Sequence, residues 1–179
     1  MNIFYLSHDP ITCAQQHNDK HVVKMCIEYA QLLSTAHRTL DGNAYEDRTA
    51  NNRKITRWKL NDTRESVLMK ASHVNHPSAV WTRQSHTNYQ WLFQMWSRLL
   101  DEYTFRYGKH HACGRLKDIL SHTPERMPID RFTQPPPAMP DDCKISTDAI
   151  ECYRTYYRKY KAPFCKWKNR PVPDWFTTL

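Results

Sequence analysis

The residues able to do chemistry gather in three stretches of this chain. The first is His17, His21, Lys24, Glu28, Gln31 and Thr35, spaced at steps of three and four. On a helix such spacing forms one polar stripe. An imidazole, an amine, a carboxylate and an amide on one rigid face can move protons or hydrogen-bond a substrate. A glutamate facing a cleft is a good general acid/base, because partial burial raises its pKa. The plainer reading is a solvated face with a Lys24–Glu28 pair.

The second stretch runs from His73 to Gln84, where His76, Arg83 and Gln84 crowd the entry to an aromatic helix and would suit a phosphate. Local capping is the alternative there. The third runs from Tyr153 to Arg170, where seven basic residues interleave with six aromatics and no acid interrupts them. Arg154, Arg158, Lys159 and Lys168 can neutralise phosphates, while Tyr157 and Trp167 can stack on a base or wedge into a duplex. The alternative is a helix with tyrosines inward and cations snorkelling outward. His110, His111 and Cys113 lack a matching partner pair, and His8-Asp9 lacks the upstream histidine that a His-Asp phosphohydrolase would supply, so no metal and no cofactor are expected.

The elements that must position these groups read as mostly α-helical: one compact domain over residues 1–179, with a short extended segment at Asn2–Leu6. Asp9-Pro10 marks a helix start, and Asn18 or Asp19 marks a second. That second helix runs to about Thr39, with Val22, Cys26, Ala30 and Leu33 on its apolar face, and Asp41-Gly42 ends it. Residues 43–66 are polar and read as a loop with one helical turn. A long helix is expected from Ser85 to Tyr107, closed by Gly108. A shorter one covers Gly114 to Ser121. Residues 122–145 are Pro-rich and extended. Ser146 or Thr147 caps a last helix, and residues 162–179 form an irregular tail.

Composition bounds the function. The net charge is +8, from 26 Lys+Arg against 18 Asp+Glu, which favours polyanionic partners. Only three glycines occur, and neither GxGxxG nor GxxxxGK[ST] is present, which removes dinucleotide and P-loop readings. The six cysteines form no CxxC pair, no signal peptide is evident, and no apolar run is long enough to span a membrane. A monomeric protein of the cytoplasm, or of a host cytoplasm if phage-encoded, with reduced thiols and no membrane partner, is expected.

HVVKMCIE, carrying His21 and Glu28 seven residues apart, resembles the phage-type pyrimidine-dimer DNA glycosylases with abasic-site lyase activity. The immediate start (MNIFYLSHDP), NHP at 75–77, DEYTFRYGK at 101–109 and YRTYYRKYK near the end resemble elements of that family in the same order. The chain as a whole also resembles a protein family of tailed phages. The first resemblance implies that an α-amine attacks C1′ of a damaged pyrimidine nucleotide in double-stranded DNA. A Schiff base forms, and Glu28 serves as the acid/base group. His21, Lys24 and Gln31 would hold the sugar-phosphate. In that family the amine is exposed by removal of the initiator Met. Asn2 is a poor context for that removal, so Met1 supplies the amine, or Lys24 replaces it, or the lyase chemistry is absent. A nucleotide-modifying enzyme of other mechanism, a non-catalytic DNA-binding protein and a metal-dependent hydrolase are the competing expectations.

Overall fold

A computed structural model describes residues 1–177 and is mostly α-helical. The N-terminal residues 2–6 are extended without joining a sheet, and Ile3, Phe4, Tyr5 and Leu6 are buried. Helix α1 (Pro10–Gln16) begins where Asp9 accepts from the Thr12 N–H at 2.8 Å. Helix α2 (Asp19–Asp41) begins at Asn18, whose side chain accepts from the His21 N–H at 3.0 Å, and ends at Gly42. A Cβ on Gly42 would lie 2.5 Å from the Arg38 carbonyl oxygen, so the close approach there requires glycine.

Residues 43–66 are not a loop. They form an antiparallel hairpin of β1 (Asn43–Arg48) and β2 (Lys54–Lys59), with Asn43 opposite Lys59 and Arg48 opposite Lys54. Asn52 takes the left-handed conformation in its turn, at φ 59°, which asparagine tolerates. A single helical turn, α3 (Arg64–Val67), follows. Arg38 holds this excursion against α2, donating to Glu65 at 2.6 Å and to the carbonyls of Met69, Trp58 and Leu68.

Helix α4 (Pro77–Thr82) leads into α5 (His86–Tyr107), capped by Ser85 and closed by Gly108 at φ 66°. Residues 112–120 form a 3-10 turn (Ala112–Leu116) running into α6 (Lys117–Leu120). The Pro-rich 122–145 stretch is extended apart from a 3-10 turn at Asp141–Cys143. Asp148, rather than Ser146 or Thr147, caps α7 (Ala149–Tyr156), which widens into a π-turn at Tyr157–Lys161. The tail holds a short 3-10 turn at Ala162–Phe164 and α8 (Asp174–Thr177). Its last two residues lie outside the described residues.

The core lies where α1 and α2 meet α5. Trp96 of α5 is fully buried and donates its indole N–H to the Cys26 carbonyl of α2 at 2.8 Å. Arg106, also fully buried, donates to Glu102, to Asp19, and to the His17 and Gln15 carbonyls. Arg170 reaches the same Glu102 carboxylate with two donors at 2.9 Å, pinning the tail to α5. Among the described residues no helix is long and apolar enough to cross a membrane.

Candidate functional site

The extended N-terminus is locked into α1 and α2 by a directional chain of hydrogen bonds. The Cys13 carbonyl can only accept, so His17 donates to it from Nδ1 at 2.7 Å. Nε2 of His17 therefore accepts from the Tyr29 hydroxyl at 2.7 Å, and the Tyr29 oxygen accepts from the Phe4 N–H at 3.1 Å. This wiring needs a neutral imidazole. Burial supplies it, holding His17 down to about 4.

Tyr29 follows Glu28 directly, so the anchor that fixes Phe4 also fixes the first residue against Glu28. The amino group of Met1 lies 3.7 Å from Glu28 Oε2, and Lys24 Nζ lies 3.2 Å from Oε1. The carboxylate is only 18% exposed, whereas Lys24 is 67% exposed. Beside them His76 caps α4, its Nδ1 accepting from the Ser78 N–H at 3.1 Å. Its pKa is pushed down by burial first, then by the Met1 amine and His73, against a smaller upward pull from Glu28. Three groups named from the sequence thus meet at one place, Met1, Lys24 and Glu28, and His76 lies close enough to feel the charges of the amine and the carboxylate. Asn2 is half-buried next to them in the chain.

One turn further along α2, Gln31 opens into a groove of about 610 Å³ between the hairpin and residues 69–74. Thr35 ties that far wall to α2, accepting from the Ser72 N–H at 3.1 Å and donating to the Ser72 carbonyl at 3.4 Å. His73 sits in the left-handed region at φ 48° on the same wall.

Other expected contacts lie elsewhere. His21 is buried, stacked on Phe4 at 4.0 Å, and its Nδ1 lies 2.6 Å from the Tyr157 hydroxyl. It belongs to the core because the C-terminal segment covers the first turns of α2, where the Lys166 carbonyl accepts from the Asp19 N–H at 2.8 Å. Tyr157 is fully buried for the same reason. Trp167 is 7% exposed and donates to the Gln16 carbonyl at 2.8 Å. Arg154 donates twice to the Leu6 carbonyl, and Arg158 donates to the Trp175 carbonyl. Arg83 serves the Val74 carbonyl at 2.8 Å. Gln84 is exposed but lines a separate shallow groove with Trp81 and Gln134. Lys159 and Lys168 remain exposed, the first paired with Asp142 at 3.2 Å and the second over the Tyr107 ring at 5.4 Å.

The groove residues Trp58, Lys70 and Ser72 were missed. Nothing local marks them: charged and polar residues surround the two apolar positions of KITRWK, and Lys70 and Ser72 lie in an irregular stretch without periodicity. No family model, curated protein or solved structure matches the chain.

Proposed function

We propose that this protein is a DNA glycosylase with abasic-site lyase activity, using the Met1 α-amine as nucleophile and Glu28 as its proton-transfer group. The observation that carries this reading is the amine of Met1 held 3.7 Å from a carboxylate that is largely shielded from solvent. An ammonium cannot attack, so the carboxylate beside it is placed to take its proton. The freed amine forms a bond to C1′ as the C1′–N bond to the base breaks, and the base leaves with a proton. Breaking of C1′–O4′, with O4′ taking a proton, then opens the sugar and gives an iminium that acidifies C2′. Loss of a proton from C2′ expels the 3′ phosphate and nicks the strand. Lys24, mostly exposed at the rim, is positioned to meet a phosphate, and the net charge of +8 favours a polyanion.

The test is borohydride reduction on duplex DNA holding one abasic site or one pyrimidine dimer, followed by mass mapping. A covalent adduct at the Met1 nitrogen is expected. An adduct on Lys24 would move the nucleophile, and no adduct alongside DNA binding would retire the lyase chemistry. Glu28→Gln is expected to lower turnover by about 10² to 10⁴ while sparing DNA binding. Equal loss of both would sink the acid/base assignment.

A further inference from the structure

Among the described residues two helical segments are capped by an imidazole, and the two rings are used differently. His111 Nδ1 accepts from the Cys113 N–H at 3.1 Å, and His76 Nδ1 accepts from the Ser78 N–H at 3.1 Å. The favoured caps are Ser, Thr, Asp, Asn and Gly, so a histidine at either place needs a further reason. For His111 the reason lies within the protein. Its ring stands edge-on to Tyr103 at 4.9 Å and also hydrogen-bonds the Val23 carbonyl. His76 has no such use: among the described residues its ring meets no other ring, and its Nε2 has no partner.

The cap fixes the chemistry of that free nitrogen. The Ser78 N–H can only donate, so His76 Nδ1 is a bare acceptor and the ring proton is on Nε2. A second ring proton would displace the Ser78 bond, and burial and the nearby amine oppose it as well. The backbone is held on both sides of the ring. The His76 N–H donates to the His73 carbonyl at 2.9 Å, and the His76 carbonyl accepts from Ala79 and Val80 at 2.9 and 3.0 Å. Helix α4 packs on α2, and the charges of the Met1 amine and Glu28 both reach the ring. The half-buried imidazole is therefore a rigid, neutral donor beside the candidate site.

We infer that His76 is a catalytic residue of the proposed reaction, its Nε2–H donating a hydrogen bond to O4′ of the attacked sugar. The inference rests on the function proposed above. The protons of that reaction balance without a change at His76. Glu28 takes one proton from the Met1 ammonium, and the attacking nitrogen passes a second to the departing base. As C1′–O4′ breaks, its electron pair moves to O4′ and Glu28 returns its proton there, while the nitrogen lone pair closes the iminium. Charge grows on O4′ before that proton arrives, and a fixed donor acts most strongly where charge develops. Glu28 cannot fill both roles, since the one proton of its carboxyl is the one transferred.

The experiment separates the two nitrogens of the ring. Asn can place its Oδ1 where Nδ1 accepts and is itself a favoured cap, while Gln can place its N–H group where Nε2 donates. Borohydride trapping rates are measured on duplex DNA with one abasic site, whose closed sugar must open at the same C1′–O4′ bond, alongside DNA affinity and denaturation midpoints. His76→Asn is expected to keep midpoint and affinity but slow trapping about 10²-fold. His76→Gln is expected to lower the midpoint and keep most of the rate. His111→Asn, at the other capped turn, should leave the rate unchanged. Equal slowing in the two His76 variants would overturn the inference. A second readout does not need the amine. DNA holding a tetrahydrofuran in place of the abasic sugar keeps O4′ but forms no iminium. The imidazole nitrogen NMR signals that are missing from His76→Asn should shift when this DNA binds, and bound DNA without a shift would count against the contact decisively. A shift with no adduct in the wild type keeps His76 at the sugar and removes the amine chemistry. An adduct that forms at the wild-type rate in His76→Asn keeps the amine and leaves His76 a cap alone.

Discussion

The C-terminal segment at 153–170 and the hairpin at 43–59 invert each other. The first has the composition of a nucleic-acid surface, yet its rings and guanidinium groups are committed within the protein. Tyr153 donates to the Pro136 carbonyl, Trp167 to Gln16, Arg154 to Leu6 and Arg170 to Glu102. The second carries Glu46 and Asp47 among its cations and reads as nondescript, yet among the described residues its Trp58 indole makes no hydrogen bond or ring contact. Interleaved cations and aromatics describe a protein that can hold itself together as readily as one that binds phosphate. Which applies depends on whether each polar group already has a carbonyl or carboxylate to satisfy it.

The largest effect that would sharpen this contrast concerns the buried ionic hub behind the C-terminal segment. Glu102→Ala leaves Arg106, fully buried, with less countercharge, and frees Arg170. A loss of about 3 to 5 kcal/mol in unfolding free energy is expected. Chemical denaturation of the variant checks this. A loss below about 1 kcal/mol would mean that the tail is not held by this carboxylate.

Acid should loosen the same frame. Burial holds both His17 and His37 down to about 4 from the ordinary histidine value of 6.5. Between those values the unfolded chain binds protons that the folded chain does not. Stability is therefore fully present above about 6.5 and declines as pH falls toward 4, by at most about 3 kcal/mol for each histidine. Denaturation midpoints measured across that window test the sign. His17→Gln, which removes one titration, should flatten part of the decline, and an unchanged decline would place its origin elsewhere.

Arg154→Ala removes both donors from the Leu6 carbonyl. It is expected to lower stability by about 2 kcal/mol, the usual scale for charged hydrogen bonds. The slope of DNA affinity against salt should stay unchanged. A shallower slope with unchanged stability would return this segment to the DNA-binding surface.

How much of this was readable in advance follows from where each signal lives. Asn18, Ser85 and Gly108 announced helix boundaries because capping is local, needing only a side chain and three residues of backbone. The Lys24–Glu28–Gln31 stripe was legible because helical periodicity is local too. His21 sits seven residues from Glu28 on nearly the same face, yet one is in the core and the other at a cleft. The C-terminal segment covers only the first turns of α2, and no periodicity records which end of a helix another segment will cover. The hairpin escaped because its strands are mostly exposed on both faces, so no alternation between core and solvent was written into them. The Met1–Glu28 contact carries no local signal, since it joins residues 27 apart that share no pattern.

The smallest effect is the most discriminating between the two regions. Lys70 and Lys168 are both exposed cations, and a duplex should attract both by charge alone. They differ in commitment. Lys168 lies over the Tyr107 ring near the start of α2, where its backbone N–H donates to Asp19, while Lys70 borders the groove that begins at Gln31. Asp19 and Gln31 are twelve residues apart, roughly 18 Å along the helix axis. If the groove end is where the strand lies, Lys70→Ala lowers the salt slope by about one unit and Lys168→Ala leaves it unchanged. Equal reductions would place the duplex along the whole of α2, with the C-terminal cations contributing after all. A reduction only in Lys168→Ala would exchange the roles of the two regions.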